Sequence, residues 1–272
     1  MNKPWNIALE TGLAAVKLAL KRLAGRRRQA SEVVQRVNSA FAGSTRAIDR
    51  DVDQHIVTSL HRARFAVLSE ESGFQCPPGM KYFAVVDPVD GTDMALRGLG
   101  LFAVCIACGP LDNGKIYLRN IAFATVCSPQ GVFTALKGEG ARFDNEAIRT
   151  STIHDVRKSI IRLPPQRPFA CHLLTRAKSY LYLGSTALEL CAVARGQLDA
   201  YIESKRRKVF DYAAAAFIAM EAGARVATIA GAPLPRGRVG PVSRSTLLVA
   251  ANDRLFEQIH RALTTKASFR SD

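Results

Sequence analysis

Acidic residues are scarce in this chain: 23 Asp and Glu stand against 38 Lys and Arg in 272 residues, a formal net charge of +15. Long apolar runs are also missing. The longest, Leu99–Pro110 and Tyr212–Met220, fall far short of the roughly 20 residues that a bilayer span needs, so no membrane partner is expected. No signal-peptide core opens the chain, because Asn2, Lys3, Glu10 and Lys17 interrupt it, and a cytoplasmic location is the expectation. Low-complexity stretches are absent and 48% of the residues are apolar, which excludes a disordered chain. The six cysteines are scattered rather than framed in pairs. Cys105 and Cys108 form a CxxC inside a run that reads as a strand, where positions three apart face opposite sides, so a metal knuckle is excluded. The five histidines share no spacing, which removes His-based phosphotransfer. Ser69 and Ser72 have no base nearby in sequence, so a covalent serine mechanism has no support. Aromatics make up only 7% of the chain, and no RNA-binding motif accompanies the basic charge that would suit nucleic acid.

What is present reads as a layered α/β protein. Residues 6–24 carry apolar positions at helical spacing (Ile7, Leu9, Leu13, Val16, Leu20, Leu23). Further helices are expected over Ser31–Phe41 and over Asp49–Arg62, the latter with Asp49 at its start. Strand-like runs follow at 65–68, 82–86, 101–108, 115–126 and 131–136, parted by turn signals such as Asp112-Asn113-Gly114. From about residue 150 strands and helices alternate: strands over 159–163, 198–202, 225–229 and 246–250, and helices over 173–178, 186–194, 211–222 and 253–263. Two halves are expected within one domain, 1–145 with most of the acids and 146–272 with Asp211.

The chemistry lies at the ends of two strand-like runs. Glu70-Glu71 follows Phe65–Leu68, and Asp87-Pro88-Val89-Asp90-Gly91-Thr92 follows Tyr82–Val86. Hard divalent cations take carboxylate oxygens, and a carboxylate bridging two ions about 4 Å apart is the usual arrangement for in-line attack on phosphorus. Alone, Asp-Pro-x-Asp is equally well a surface turn with a helix cap. Asp49 and Asp211 are equally good caps, Thr92 could cap its own helix, and Glu203 could be an exposed strand-end acid. For Glu70, Asp87 and Asp90 the functional reading is the stronger, since acids gathered at strand ends repel one another without a cation.

The set as a whole resembles the inositol monophosphatase superfamily of magnesium-dependent, lithium-sensitive phosphatases. Asp87–Thr92 is similar to its first signature, and Phe210-Asp211-Tyr212-Ala213-Ala214-Ala215 to its second. Gly184–Cys191 (GSTALELC), Gly196–Glu203 (GQLDAYIE), Glu221-Ala222-Gly223 and Ala250-Ala251-Asn252 follow in the family's order. The resemblance implies a layered αβαβα sandwich, a homodimer, two or three Mg²⁺ ions per site and a small phosphorylated substrate, inositol monophosphate foremost. It implies that Glu70, Asp87 and the Val89 carbonyl hold one metal, and Asp87, Asp90 and Asp211 another. Thr92 with Asp49 would orient or deprotonate the attacking water, and Glu71 would sit near a weaker third ion. Gly91 and Thr92 would hold the phosphate, while Gly184, Ser185, Thr186, Glu203 and Asp211 would meet the substrate.

The chain departs from that pattern in places. Asp93-Met94-Ala95 stands where many relatives have Thr-Asn-Phe, Phe210 replaces Trp, and Ala215 replaces Gly. The basic residue nearest before Asp49 is Arg46 rather than the usual Lys. Lys205-Arg206-Arg207-Lys208 lies between Glu203 and Asp211, either as a solvent-facing turn or as a seat for a second phosphate. Two alternatives to the monophosphate reading therefore stand: a bisphosphate-directed enzyme acting on fructose 1,6-bisphosphate or a bisphosphate nucleotide, and a regulatory member that binds nucleic acid. The clusters at Lys21–Arg28 and Arg157–Arg162 are expected to be solvated surface.

Overall fold

Two β-sheets, one of eight strands and one of five, are interleaved with three layers of helix, as the resemblance implied. The computed structural model describes residues 3–30, 40–163, 176–234 and 237–264. The outer layer is α1 (Lys3–Ala30) and α2 (Ala40–Arg62). Trp5 anchors it, its ring packed against Phe65, Tyr82 and Phe123; removing a buried aromatic of this kind costs about 3–5 kcal/mol. The expected helix over 31–41 lies outside the described residues except for Ala40 and Phe41, which open α2.

The larger sheet contains β1 (Phe65–Ser69), β2 (Gly73–Gln75), β3 (Tyr82–Asp90), β4 (Ala103–Pro110), β6 (Phe123–Ser128), β7 (Gly131–Leu136), β8 (Gly140–Phe143) and β9 (Glu146–Ile148). Its order is β2-β1-β3-β4-β6-β7-β8-β9, with β1 and β3 parallel and the rest antiparallel. A five-residue helix, α3 (Thr92–Leu96), follows β3. The single strand expected over 115–126 is instead β5 (Ile116–Tyr117), a 3₁₀ turn, and β6. β5 leaves the large sheet to pair with β14 (Arg238–Val239).

The smaller sheet runs β11-β10-β12-β15-β13, from β10 (Ile160–Arg162), β11 (Ser179–Leu181), β12 (Ala200–Lys208), β13 (Arg225–Ala227) and β15 (Arg244–Ala250). Of the helix expected over 173–178, residues 173–175 lie outside the described residues, and 176–178 form a turn before β11. Between the sheets lie α4 (Thr186–Ala194) and α5 (Val209–Glu221), and α6 (Asp253–Thr264) covers the far face.

Strand periodicity explains the layering. Along β4, Ala103, Cys105 and Ala107 join the core under α4 and α5, whereas Val104, Ile106 and Cys108 join the core under α1 and α2. Cys105 and Cys108 thus face opposite sides of the sheet. In β15, Leu247 and Val249 face the central helices while Leu248 and Ala250 face α6. α4 and α5 are buried nearly all round, which is why both are almost wholly apolar. Among the described residues, no helix is long and apolar enough to cross a membrane.

Candidate active site

The acids of the first signature sit at a bulge. Strand β3 does not stop at Val86 but continues to Asp90, and its register against β4 shifts between Asp87, opposite Cys105, and Asp90, opposite Ala103. Pro88 has no N–H for a ladder, so an irregular step here is the natural place for it. The step turns both carboxylates toward one cleft while leaving them nearly inaccessible, at 3% and 9% exposure. Asp87 Oδ1 accepts the Val89 amide at 3.1 Å. Gly91 then takes a left-handed φ of 85°, and a Cβ there would lie 2.6 Å from the Leu101 carbonyl oxygen, so glycine is required.

Two other segments converge on this bulge. Glu70 lies in the turn after β1, its amide donating to the Val86 carbonyl at 3.2 Å. Asp211 comes from the first turn of α5. Carboxylate oxygens of Glu70, Asp87 and Asp211 all lie within 4.8 Å of one another. Asp211 does not cap α5; Lys208 stands at that position. Asp49, expected at a helix start, lies inside α2, buried, with Oδ1 3.4 Å from the Thr92 hydroxyl. That hydroxyl donates to the Val89 carbonyl at 2.8 Å. Glu71 is exposed, its amide 3.4 Å from the Ser69 hydroxyl.

The electrostatics are those of a cage short of positive charge. Burial, then the charges of Asp90, Glu70 and Asp211, push the Asp87 carboxyl well up. Burial raises Asp90 to about 7 against the hydrogen bonds it accepts, and burial with Glu70 raises Asp211 to about 6. Asp49 is pushed up to about 7 by burial, then by Glu71 and Glu70. Carboxylates so crowded either keep protons or take up a cation, and an all-oxygen set suits a hard divalent ion. The site fits a metal.

The cleft, about 330 Å³, has this cage on one side and Arg162, Tyr182, Gly184, Thr186, Glu189 and Arg207 on the other. Of three consecutive residues expected to contact substrate, two reach the cleft and one does not. Gly184 and Thr186 line the cleft. Ser185 is fully buried as the N-cap of α4, donating to Asp90 Oδ2 and accepting from the Leu188 amide at 3.2 Å. Asp90 Oδ2 also accepts the Ala187 amide at 2.9 Å, so one oxygen of this acid is committed to α4.

Glu203 is not brought to the cleft wall. Its carboxylate accepts from Arg162 at 3.2 Å, from Arg207 at 2.9 and 3.1 Å, and from the Lys205 amide at 2.9 Å. Burial would raise its carboxyl, but that amide and the two guanidiniums outweigh it and hold it low. Nor is Glu203 an exposed strand-end acid, at 1% exposure.

Arg162, expected as solvated surface, is 1% exposed. It donates Nε to Glu189 at 2.8 Å and Nη1 to the Ile202 carbonyl at 2.7 Å, with Tyr182 and Tyr201 rings over its guanidinium. Glu189 Oε1 in turn accepts the Leu183 and Gly184 amides at 2.6 and 3.1 Å, fixing the loop that borders the cleft. The basic run 205–208 divides: Lys205 and Arg206 are exposed, Arg207 lines the cleft, and Lys208 Nζ lies 2.9 Å from Glu70 Oε1. These residues were missed as a network. The signals were a lone Arg in Ile160-Ile161-Arg162-Leu163 and a lone Glu in an apolar helix, each a charge where burial demands a partner.

The chain is similar to known proteins over nearly its whole length. The model of the inositol monophosphatase family matches residues 5–268. A Nus factor SuhB of Xylella fastidiosa is 29% identical, over 97% of this chain and 96% of its own. A fructose-1,6-bisphosphatase/inositol-1-monophosphatase of Archaeoglobus fulgidus is also 29% identical, over 79% of this chain and 82% of its own. The crystal structure of extragenic suppressor protein suhB from Bartonella henselae superposes with a TM-score of 0.76 at 24% identity, covering 95% of this chain and 98% of that one, a likeness of fold. With a family match over nearly the whole chain and a buried carboxylate cage opening on a cleft, this phosphatase belongs to the inositol monophosphatase family.

Proposed function

We propose that the chain is a Mg²⁺-dependent phosphomonoesterase acting on a small phosphorylated polyol, inositol monophosphate foremost. The observation that carries this reading is the convergence of Glu70, Asp87 and Asp211 within 4.8 Å in a cleft that also holds Thr92. Glu70, Asp87, Asp90 and Asp211 are the residues that would hold the ions. Mg²⁺ in such a cage supplies Lewis acidity toward the phosphoryl oxygens and lowers the pKa of bound water. Thr92 and Asp49 form the proton-handling pair, with the buried Asp49 carboxyl 3.4 Å from the Thr92 hydroxyl, a hydroxyl and a carboxylate set to orient the attacking water and take its proton. Ser185 and the Ala187 amide keep Asp90 in place rather than touching substrate. The far wall, with Arg207 and Tyr182, meets the remainder of the substrate. Glu203, with one oxygen held by Arg162 and Arg207 and the other by the Lys205 amide, supports that wall.

The test is phosphate release from a panel of inositol monophosphate, fructose 1,6-bisphosphate, histidinol phosphate and 3′-phosphoadenosine 5′-phosphate, with Mg²⁺ or with chelator. Chelator-sensitive release, fastest from inositol monophosphate, is expected. Release fastest from a bisphosphate would move the assignment to a bisphosphate-directed enzyme, and no release from any would end the phosphatase reading.

A second reading, in which the chain also acts on RNA as a regulator, is favoured by the net charge of +15 and by the full-length likeness to a protein called a Nus factor. Salt-sensitive RNA binding by an Asp87→Ala protein would support it, and no binding at low salt would remove it.

A further inference from the structure

Lys208 closes β12 and stands immediately before α5, three residues ahead of Asp211. The strand's register against β15 shifts between Glu203, opposite Leu247, and Arg207, opposite Ser245. After that shift Arg207 and Lys208 are half-buried, whereas Lys205 and Arg206 remain exposed. The two inward cations have separate destinations. Arg207 forks onto Glu203, while the Lys208 ammonium lies 2.9 Å from Glu70 Oε1. Glu70 is one of the three acids of the cage, and the charge of Lys208 also works against the elevation of Asp211.

We infer that Lys208 is a resident counter-cation of the carboxylate cage: it holds Glu70 in the metal-free protein and weakens the binding of the divalent ion that must take over that carboxylate. The inference rests on the reading of the cage as a Mg²⁺ site. Its physical basis is simple competition. An ammonium and a divalent ion drawn to one carboxylate repel each other, and a unit charge that has drawn back to about 8 Å from a divalent ion still changes binding roughly fivefold even when water screens it fully. The pair is partly exposed, at 36% and 27% of the two side chains, so the water-like limit is the appropriate one. A compact charge on a flexible four-carbon stem can leave the carboxylate when the ion enters, whereas an arginine fork is harder to displace. An ordinary surface ion pair would contribute next to nothing, and that is the alternative to be distinguished.

The experiment is direct calorimetric titration of the full chain with Mg²⁺, without substrate, for wild type, Lys208→Met and Lys208→Arg, together with thermal unfolding in chelator. Lys208→Met is expected to bind Mg²⁺ roughly fivefold more tightly and to unfold at a lower temperature when metal-free. Its stabilisation by Mg²⁺ is then larger than that of wild type. Lys208→Arg, which keeps the charge, is expected to bind no more tightly than wild type. Equal Mg²⁺ affinity in wild type and Lys208→Met overturns this inference alone. A wild-type protein that takes up no Mg²⁺ overturns the metal-site reading as well.

Discussion

Two bulged strands face each other across the cleft, and they treat buried acids in opposite ways. In β3 the irregular step separates Asp87 from Asp90; in β12 it separates Glu203 from Arg207. In β3 the step brings together two acids that a regular pleat, three residues apart, would have sent to opposite faces, whereas Glu203 and Arg207, four apart, would share a face even in a regular strand. The β3 acids have no basic side chain among the partners that hold them, and burial pushes both upward. Glu203 is just as buried, but two guanidiniums and an amide hold it down. A buried acid already matched by the protein is structural; one left unmatched is a place for something the protein must bind. The contrast separates scaffold from site more sharply than burial or charge alone.

Breaking each side of the contrast should therefore damage different properties. On the β3 side, Asp87→Asn should cut Mg²⁺-dependent phosphate release about 10³-fold, the scale of losing a group that stabilises transition-state charge. The metal-free variant should unfold no earlier than wild type, because the cost of burying that carboxyl among other acids is gone. Steady-state assays paired with thermal unfolding in chelator would check both, and undiminished turnover would remove Asp87 from the chemistry. On the β12 side, Arg162→Met leaves Glu189 and Glu203 facing each other with less compensation in the core. A loss of about 3 kcal/mol of stability is expected, as when one partner of a buried pair is removed, read from urea unfolding at saturating Mg²⁺. An unchanged midpoint would mean that the arginine network supports nothing.

The same contrast explains what could be read from the chain beforehand. The layered fold and the cage were legible because their signals are local: apolar runs of strand length, paired acids at strand ends, and two signatures whose order fits the family. Thr186–Ala194 was placed to the residue, since Gly184-Ser185-Thr186 opens the helix and Gly196 ends it. The β12 network was not legible, because it depends on registry. Whether Arg162 meets solvent or Glu189 is decided by the parallel pairing of Ile161 with Ala200 and Arg162 with Tyr201, and no short stretch of sequence encodes that. Asp49 and Asp211 were misplaced as helix starts for a related reason. An acid inside a helix looks like a cap until the cavity that it faces is known.

A third test asks whether the unmatched acids are held as described. Asp49 and Asp90 are pushed up to about 7 and Asp211 to about 6, from an ordinary 3.8, each mainly by burial. Between about pH 4 and 7 the folded, metal-free protein therefore binds protons that the unfolded chain has released, and its stability falls as pH rises through that window. His61, which burial lowers from 6.5, works the other way: below its ordinary value the unfolded chain takes the extra proton, and stability rises with pH. Burial also raises Glu71 and Asp87, so five raised carboxyls against one lowered imidazole leave a net decline. In chelator, Tm should drop by a few degrees between pH 5.5 and 7.5, and saturating Mg²⁺ should abolish the drop by replacing the protons. Glu203 contributes nothing in that window, because its carboxyl is held below 4.5. A metal-free Tm that is flat or rising over this range would show the acids around the cleft to be as well compensated as Glu203, and the distinction between the two sides would fall.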